Sequence, residues 1–389
     1  VKISKSSIKR IKLGIVANEF FGQQIGGIGG FGWAARQVAK LFNERPEHGV
    51  EAVFLKATLQ PDGATNVRVH DTPLITRGEG RLSSVRRLRA ERLDQLLMID
   101  YRPSYRFFAR ALPRTPIIVW VRDPRTPEDV RKISTLRVPG AEGMLPQGAA
   151  AIDCTSLGNI VRASRLLARP VLFATPAPAL AANVPGTYGV RPREVAFLPN
   201  IIDLNRGEVP KSARQRVVFL GRLDPIKRPW LFAKMAEQFP EVEFLLMGRA
   251  QFEGEGAWRP VDLPANVRLL GHVDGAEKLR TLASAWVLVN TSIHEGLAVS
   301  FLEALACETP IISCQNPEDV VSRFGIYVGR WDGDGLDALP RFGEALRHLL
   351  QDTATRTRLG EEGRAWVTET HSPTSFLSAY RALCASAGM

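Results

Sequence analysis

The sequence predicts an α/β protein made of two Rossmann-like, doubly wound domains that face each other across a cleft. Three observations predict it. Short apolar runs, each closed by a polar turn and followed by a helical pattern, recur along the chain. The series halts at a Pro-, Asn- and Arg-bearing stretch, Pro199 to Arg216, and then restarts. The 389 residues suffice for two domains, each with its own core. The expected division is 1–205, 206–371, and a C-terminal helix in 372–389 that packs back on the first domain.

The first strand is Leu13 to Ala17, followed by a glycine cluster, Gly22 to Gly32, and a helix marked by Trp33, Val38, Leu41 and Phe42. Strand, glycine turn and helix open a nucleotide-binding unit. G-G-I-G-G-F-G is not a clean dinucleotide fingerprint, and no acidic residue closes the next strand, Glu51 to Leu55, so a dehydrogenase is disfavoured. Strands follow at Leu96 to Ile99, Ile117 to Val121, Ala149 to Asp153, Val171 to Ala174 and Val195 to Leu198. The second series holds strands at Val217 to Leu220, Glu243 to Met247, Val267 to Leu270, Ala285 to Val289 and Ile311 to Ser313. A helix spans Pro229 to Phe239, and a last one runs from Thr374 to Ala387.

Composition sets the class. The chain is 45% apolar and 23% charged, as soluble globular proteins are. The apolar run after the basic Lys2–Lys12 stretch is too short for a signal peptide. The longest uncharged run, Val171 to Val190, is broken by Pro176, Pro178, Pro185, Gly186 and Gly189, so no membrane span is expected. Cys154, Cys307, Cys314 and Cys384 form no C-x-x-C pair and read as reduced thiols. The expected location is cytoplasmic. The net charge of +11 asks for an anionic partner. Its densest segment, Arg77 to Arg92, lacks aromatics for base stacking, which argues against nucleic acid. Leu82, Val85, Leu88 and Leu96 keep rough helical spacing there. That pattern reads either as a basic amphipathic helix on the inner face of an anionic membrane or as a solvated helix face.

The chemistry concentrates in Asn290 to Ile312, N-T-S-I-H-E-G-L-A-V-S-F-L-E-A-L-A-C-E-T-P-I-I. An apolar strand ends in a turn carrying Glu295 and Gly296, and a helix follows over about Leu297 to Cys307. Free amides of a first helical turn attract anions, and Glu295 and Glu303 can accept from hydroxyls. That pairing suits a phosphorylated, polyhydroxylated ligand such as a nucleotide sugar. Taken alone, a Glu–Gly pair before a helix is also ordinary dipole placement.

The rest of the chain decides between these. G-R-L-D-P-I-K-R-P (Gly221 to Pro229), F-L-L-M-G (Phe244 to Gly248), N-V-R-L-L-G-H-V (Asn266 to Val273) and H-E-G-L-A-V-S-F-L-E-A-L-A-C-E-T-P stand in one order. In that order they resemble the retaining GT-B glycosyltransferases of glycosyltransferase family four (glycosyl transferases group 1). L-P-N-I-I-D (Leu198 to Asp203) is similar to the family's hinge with Ile201 in place of Gly. Gly26-Gly27-Ile28-Gly29 is similar to its N-terminal glycine loop. Two further departures stand out: Glu308 replaces a usual Gly, and V-W-V-R-D-P-R offers Arg122 or Asp123 where a His is common. The resemblance is strong over 195–315 and weak over 43–190.

What the resemblance implies is a GT-B fold and sugar transfer from a nucleotide-sugar to a glycan, glycolipid or small-molecule acceptor, with no metal cofactor. Arg222 and Lys227 would neutralise the departing diphosphate and Glu295 would hold the sugar. Glu303 would take the ribose, with Gly296, Leu297 and Ala298 facing phosphate or sugar. Gly248, His272 and Val273 would frame the base, and Gly27 would admit the diphosphate from the first domain. Arg122 and Asp123 would lie on the acceptor side, marking an acidic or phosphorylated acceptor, or else form a structural pair. Asp332-Gly333-Asp334 reads as acids before a helix rather than a metal site. No carboxylate presents itself as a covalent nucleophile, and the family implies front-face substitution. The alternatives are a GT-B sugar-phosphate synthase or epimerase, and a non-catalytic nucleotide- or nucleic-acid-binding protein.

Overall fold

The computed structural model describes residues 10–19, 29–56, 67–69, 71–76, 80–140, 154–205, 207–250 and 257–389. The expected strand at Ala149 to Asp153 and the glycine at Gly27 lie outside them.

In the first domain, β1 (Ile11–Ala17), α1 (Gly30–Asn43), β2 (Val50–Lys56), β3 (Val67–Val69) and β4 (Thr72–Ile75) come first. Then follow α2 (Arg81–Ala90), β5 (Gln95–Ile99), α3 (Arg106–Ala111), β6 (Ile117–Trp120) and α4 (Pro127–Ser134). α5 (Thr155–Leu166), β7 (Val171–Thr175), α6 (Val184–Tyr188) and β8 (Val195–Phe197) complete it. The sheet order is β3-β4-β2-β1-β5-β6-β7-β8, parallel except for the β3–β4 edge pair. Strands covered on both faces read as continuous apolar runs, which is why β5 and β6 are legible.

The second domain holds β9 (Arg216–Leu220), α7 (Pro229–Ala236), β10 (Glu243–Met247), β11 (Val267–Gly271), α8 (Gly275–Ser284) and β12 (Val287–Asn290). α9 (Val299–Ala306), β13 (Ile311–Ser313), α10 (Val320–Phe324), β14 (Gly325–Tyr327), α11 (Leu339–Gln351) and α12 (Thr353–Thr370) follow. Its parallel order is β11-β10-β9-β12-β13-β14. The expected two-domain α/β architecture is what the chain adopts. α13 (Pro373–Ser386) crosses back, seating Phe376 and Tyr380 beside Phe42 of the first domain, with Tyr380 Oη donating to Gln95.

Two expectations are corrected. α9 begins at Val299 rather than Leu297, because Ala298 keeps an extended backbone as its N-cap. Leu96 belongs to buried β5, and Leu88 points into the core under α2, so the apolar stripe read along the basic segment is largely spent on the domain core rather than presented outward as one amphipathic helix. Only Leu82 of that stripe is exposed, at 77%.

The domains touch on both sides of the cleft. Arg36 of α1 pairs with Asp274 at the N-cap of α8, at 2.6 Å. Ile133, Leu136 and Val138, in and after α4, pack with Trp230, Leu231 and Ile293 of the second domain.

Candidate functional site

The second-domain wall of the cleft grows from the ends of β9, β10, β11 and β12, where a parallel sheet presents its binding edge. After β12 the chain turns through Thr291–Ala298 into α9. Glu295 Oε1 accepts from Lys227 Nζ at 2.6 Å, Ser292 Oγ at 2.6 Å and Asn290 Nδ2 at 3.0 Å. Burial alone would raise this carboxyl, but the Lys227 charge and these donors hold it below its ordinary value. Glu303, two turns on, accepts from Lys278 Nζ at 2.7 Å. Burial would lower the Lys278 ammonium, yet the Glu303 charge outweighs it and the ammonium lies above its ordinary range. Gly296, Leu297 and Ala298 line the same cleft between the two glutamates.

Arg222 and Lys227 reach the cleft from the turn after β9, as the spacing predicts, with Arg222 Nε 3.3 Å from Asp224 Oδ2. Gly248, at φ +154, has its α-carbon against the Gly221 carbonyl, and a Cβ there would sit 1.8 Å from that oxygen. Its glycine is thus required by the close approach of two strand ends. His272 and Val273 line the same end of the cleft. Burial, above all, lowers the His272 imidazole, which favours its neutral form.

The first-domain wall differs from expectation. Arg122 and Asp123 do not pair. The Arg122 guanidinium is buried, stacks 4.4 Å above the Trp120 ring and donates to Asn200 Oδ1 at 2.7 Å; burial brings it down to about 10. Asp123 instead meets His294 Nε2 at 2.7 Å and Arg125 at 3.0 Å. Sequence reasoning passed over His294, the residue just before Glu295. It crosses from the second domain to lie between Asp123 and Asp129, whose Oδ1 is 3.4 Å from Nδ1. Burial would lower the imidazole, but the two carboxylates push it up to about 9. A glycine is needed next to it as well: a Cβ on Gly296 would fall 2.4 Å from the Arg122 carbonyl oxygen.

Two more residues were missed. Glu19, after β1, lines the cleft with Oε2 buried and without a described partner, and burial raises its carboxyl. Arg228 stands where the family's Lys–Gly turn has glycine. It keeps the left-handed backbone, φ 45, and donates to the carbonyls of Thr291 and Trp331 at 2.8 and 2.9 Å. A non-glycine in the family's glycine position was the available signal. Asp334 Oδ1 accepts from the Leu336 amide at 3.0 Å, serving the turn before α11. Among the described residues no three His, Cys, Asp or Glu side chains gather as metal ligands.

The two parallel sheets and the cleft between them define a GT-B fold. A family model described as glycosyl transferases group 1 matches residues 214–352, most of the second domain. The chain is 30% identical over 138 residues to a GDP-mannose-dependent monoacylated alpha-(1-6)-phosphatidylinositol monomannoside mannosyltransferase of Corynebacterium glutamicum, covering 33% of this chain and 35% of that one. It is 29% identical over 206 residues to a D-inositol 3-phosphate glycosyltransferase of Kineococcus radiotolerans, covering 44% and 47%. The chain thus spans less than half the length of these curated relatives. Over 97% of this chain and 100% of the other, the fold matches Anabaena HepE in complex with UDP-glucose, at TM-score 0.68 and 16% identity.

Proposed function

We propose that the protein is a glycosyltransferase that moves a sugar from a nucleotide-sugar to a glycan, glycolipid or small-molecule acceptor with retention of configuration and without a metal. One observation carries this reading: the Lys227–Glu295 pair, the turn into α9 and Glu303 all line one cleft closed by the other domain. Lys227 and Arg222 bring positive charge to the diphosphate, which the α9 N-terminus supplements. Glu295 keeps Lys227 in the cleft before the donor arrives and accepts from sugar hydroxyls, while Glu303 accepts from the ribose.

In the transfer, the bond from the anomeric carbon to the diphosphate oxygen breaks and the acceptor oxygen bonds on the same face. The acceptor's proton leaves with the departing phosphate oxygen, so the protein works by positioning and charge stabilisation. The protein works in the cytoplasm, including at the inner face of a membrane. The relatives named for GDP-mannose and for inositol phosphate, and the neighbour bound to UDP-glucose, set the first donors and acceptors to try. NMR of the product formed in excess EDTA tests the reading. Transfer with the donor's anomeric configuration is expected. An inverted product, or transfer abolished by EDTA and restored by a divalent ion, contradicts it.

A further inference from the structure

The helical layer on the outer face of the first domain's sheet has a composition the cleft does not explain. α2, α3 and α5 lie side by side over one core, to which they contribute Leu88, Phe108 with Ala109, and Leu157 with Ile160. Their sequences are R-L-S-S-V-R-R-L-R-A, R-F-F-A-R-A and T-S-L-G-N-I-V-R-A-S-R-L, with four arginines on α2, two on α3, two on α5 and no acidic residue. Arg81, Arg86, Arg89, Arg106, Arg110, Arg162 and Arg165 are exposed. The acids just past α2 are engaged elsewhere: Glu91 pairs with Lys12 Nζ at 2.7 Å and Asp94 takes the Lys12 amide at 2.8 Å.

Leucines stand among these cations. Leu82 is 77% exposed and Leu166 90%, with Leu167 following at 51%. On α2, Leu82 and Arg86 share one outward line, four residues apart, and Arg162 and Leu166 do the same on α5. Burying such leucines in water-free surroundings is favourable.

We propose that this three-helix face docks on an anionic lipid bilayer. Charge complementarity selects that occupant: many arginines without interspersed acids attract anionic headgroups, and the leucines enter the headgroup–acyl boundary. This differs from a single amphipathic helix, because the apolar side of α2 is spent on the domain core and the membrane face is assembled from three elements. The placement suits a lipid-linked acceptor. A second cavity, bounded by Arg102, Asp123, Arg125, Cys154 and Tyr188, lies at the α5 N-terminus and shares Asp123 and Arg125 with the main cleft. The acceptor role of that cavity rests on the glycosyltransferase reading; the docking face does not.

The test is flotation of the full chain with vesicles of phosphatidylcholine alone and of phosphatidylcholine with phosphatidylglycerol. Binding to the anionic vesicles only, weakened by added salt, is expected. The triple variant R86E/R110E/R162E should lose about a hundredfold in partitioning. L82S/L166S should weaken binding at unchanged charge. All variants should keep the wild-type melting temperature and the wild-type thermal shift with nucleotides, which separates this face from the cleft. Equal binding to both vesicle types, or anionic binding retained by the triple variant, overturns the proposal. Retention of a single-stranded oligonucleotide that the vesicles do not displace, lost in the triple variant, overturns it in favour of nucleic acid.

Discussion

The two walls of the cleft are finished to different degrees. On the second domain, no described side chain leaves a buried nitrogen or oxygen without a partner, and each glutamate of the signature already holds a lysine. On the first domain, Glu19 Oε2, Arg122 Nε and Nη1, and Asn200 Nδ2 are buried and unpartnered among the described residues. Each such atom costs about 1–3 kcal/mol unless water or a ligand meets it. The second-domain wall is therefore preorganised, whereas the opposite wall keeps hydrogen-bonding capacity in reserve.

Breaking the finished wall should have the largest effect. Glu295→Gln removes the charge that holds Lys227 and should lower kcat by about 10²- to 10³-fold, read in a transfer assay. Alanine is the poorer probe, because the structure shows a buried network there whose loss also costs stability. Lys278→Met leaves Glu303 buried and alone and should cost about 3 kcal/mol by denaturant unfolding. Arg122→Met removes two unpartnered atoms with its one side-chain bond and should cost only about 1 kcal/mol. Equal costs for these two variants would break the comparison.

A third expectation concerns the contact between the walls. The folded His294 imidazolium, at about 9, lies above the ordinary histidine value of 6.5, so its contribution is complete below about pH 6.5 and lost as pH rises through about 9. Asp123, Asp129 and Arg125 face it, with Arg330 3.9 Å from Asp129. The melting-temperature gap between wild type and His294→Asn should therefore close with rising pH. A pH-independent gap would assign His294 a packing role alone. The smallest effect belongs to Glu308, which sits at φ 54 where the family has glycine. Glu308→Gly relieves that backbone at the loss of the ion pair with Arg364, 3.7 Å away, and should stabilise the chain by about 0.5 kcal/mol in the same denaturant assay.

The second-domain wall was legible because its parts are contiguous. A strand, a turn and the first two turns of α9 place Glu295, the cleft-lining residues Gly296 to Ala298, and Glu303 within a short stretch. Arg222 and Lys227 share another such turn. The first-domain wall is assembled from residues far apart in the chain, such as Glu19, Arg122 and Arg125, and spacing carries no trace of their sharing one cleft. His294 was hidden for the same reason, since its partners Asp123 and Asp129 come from the other domain. β3 and β4 are too short, at three and four residues, and α12 is too polar to show a stripe, so none of the three had a periodic signal to read.

The most direct test of the central claim is thermal denaturation of the full chain with UDP, GDP and their sugar conjugates, each with and without EDTA. The account predicts that one base family raises the melting temperature, that EDTA leaves the rise intact, and that Lys227→Ala removes most of it. No rise with any nucleotide would contradict the claim that this cleft holds a nucleotide-sugar.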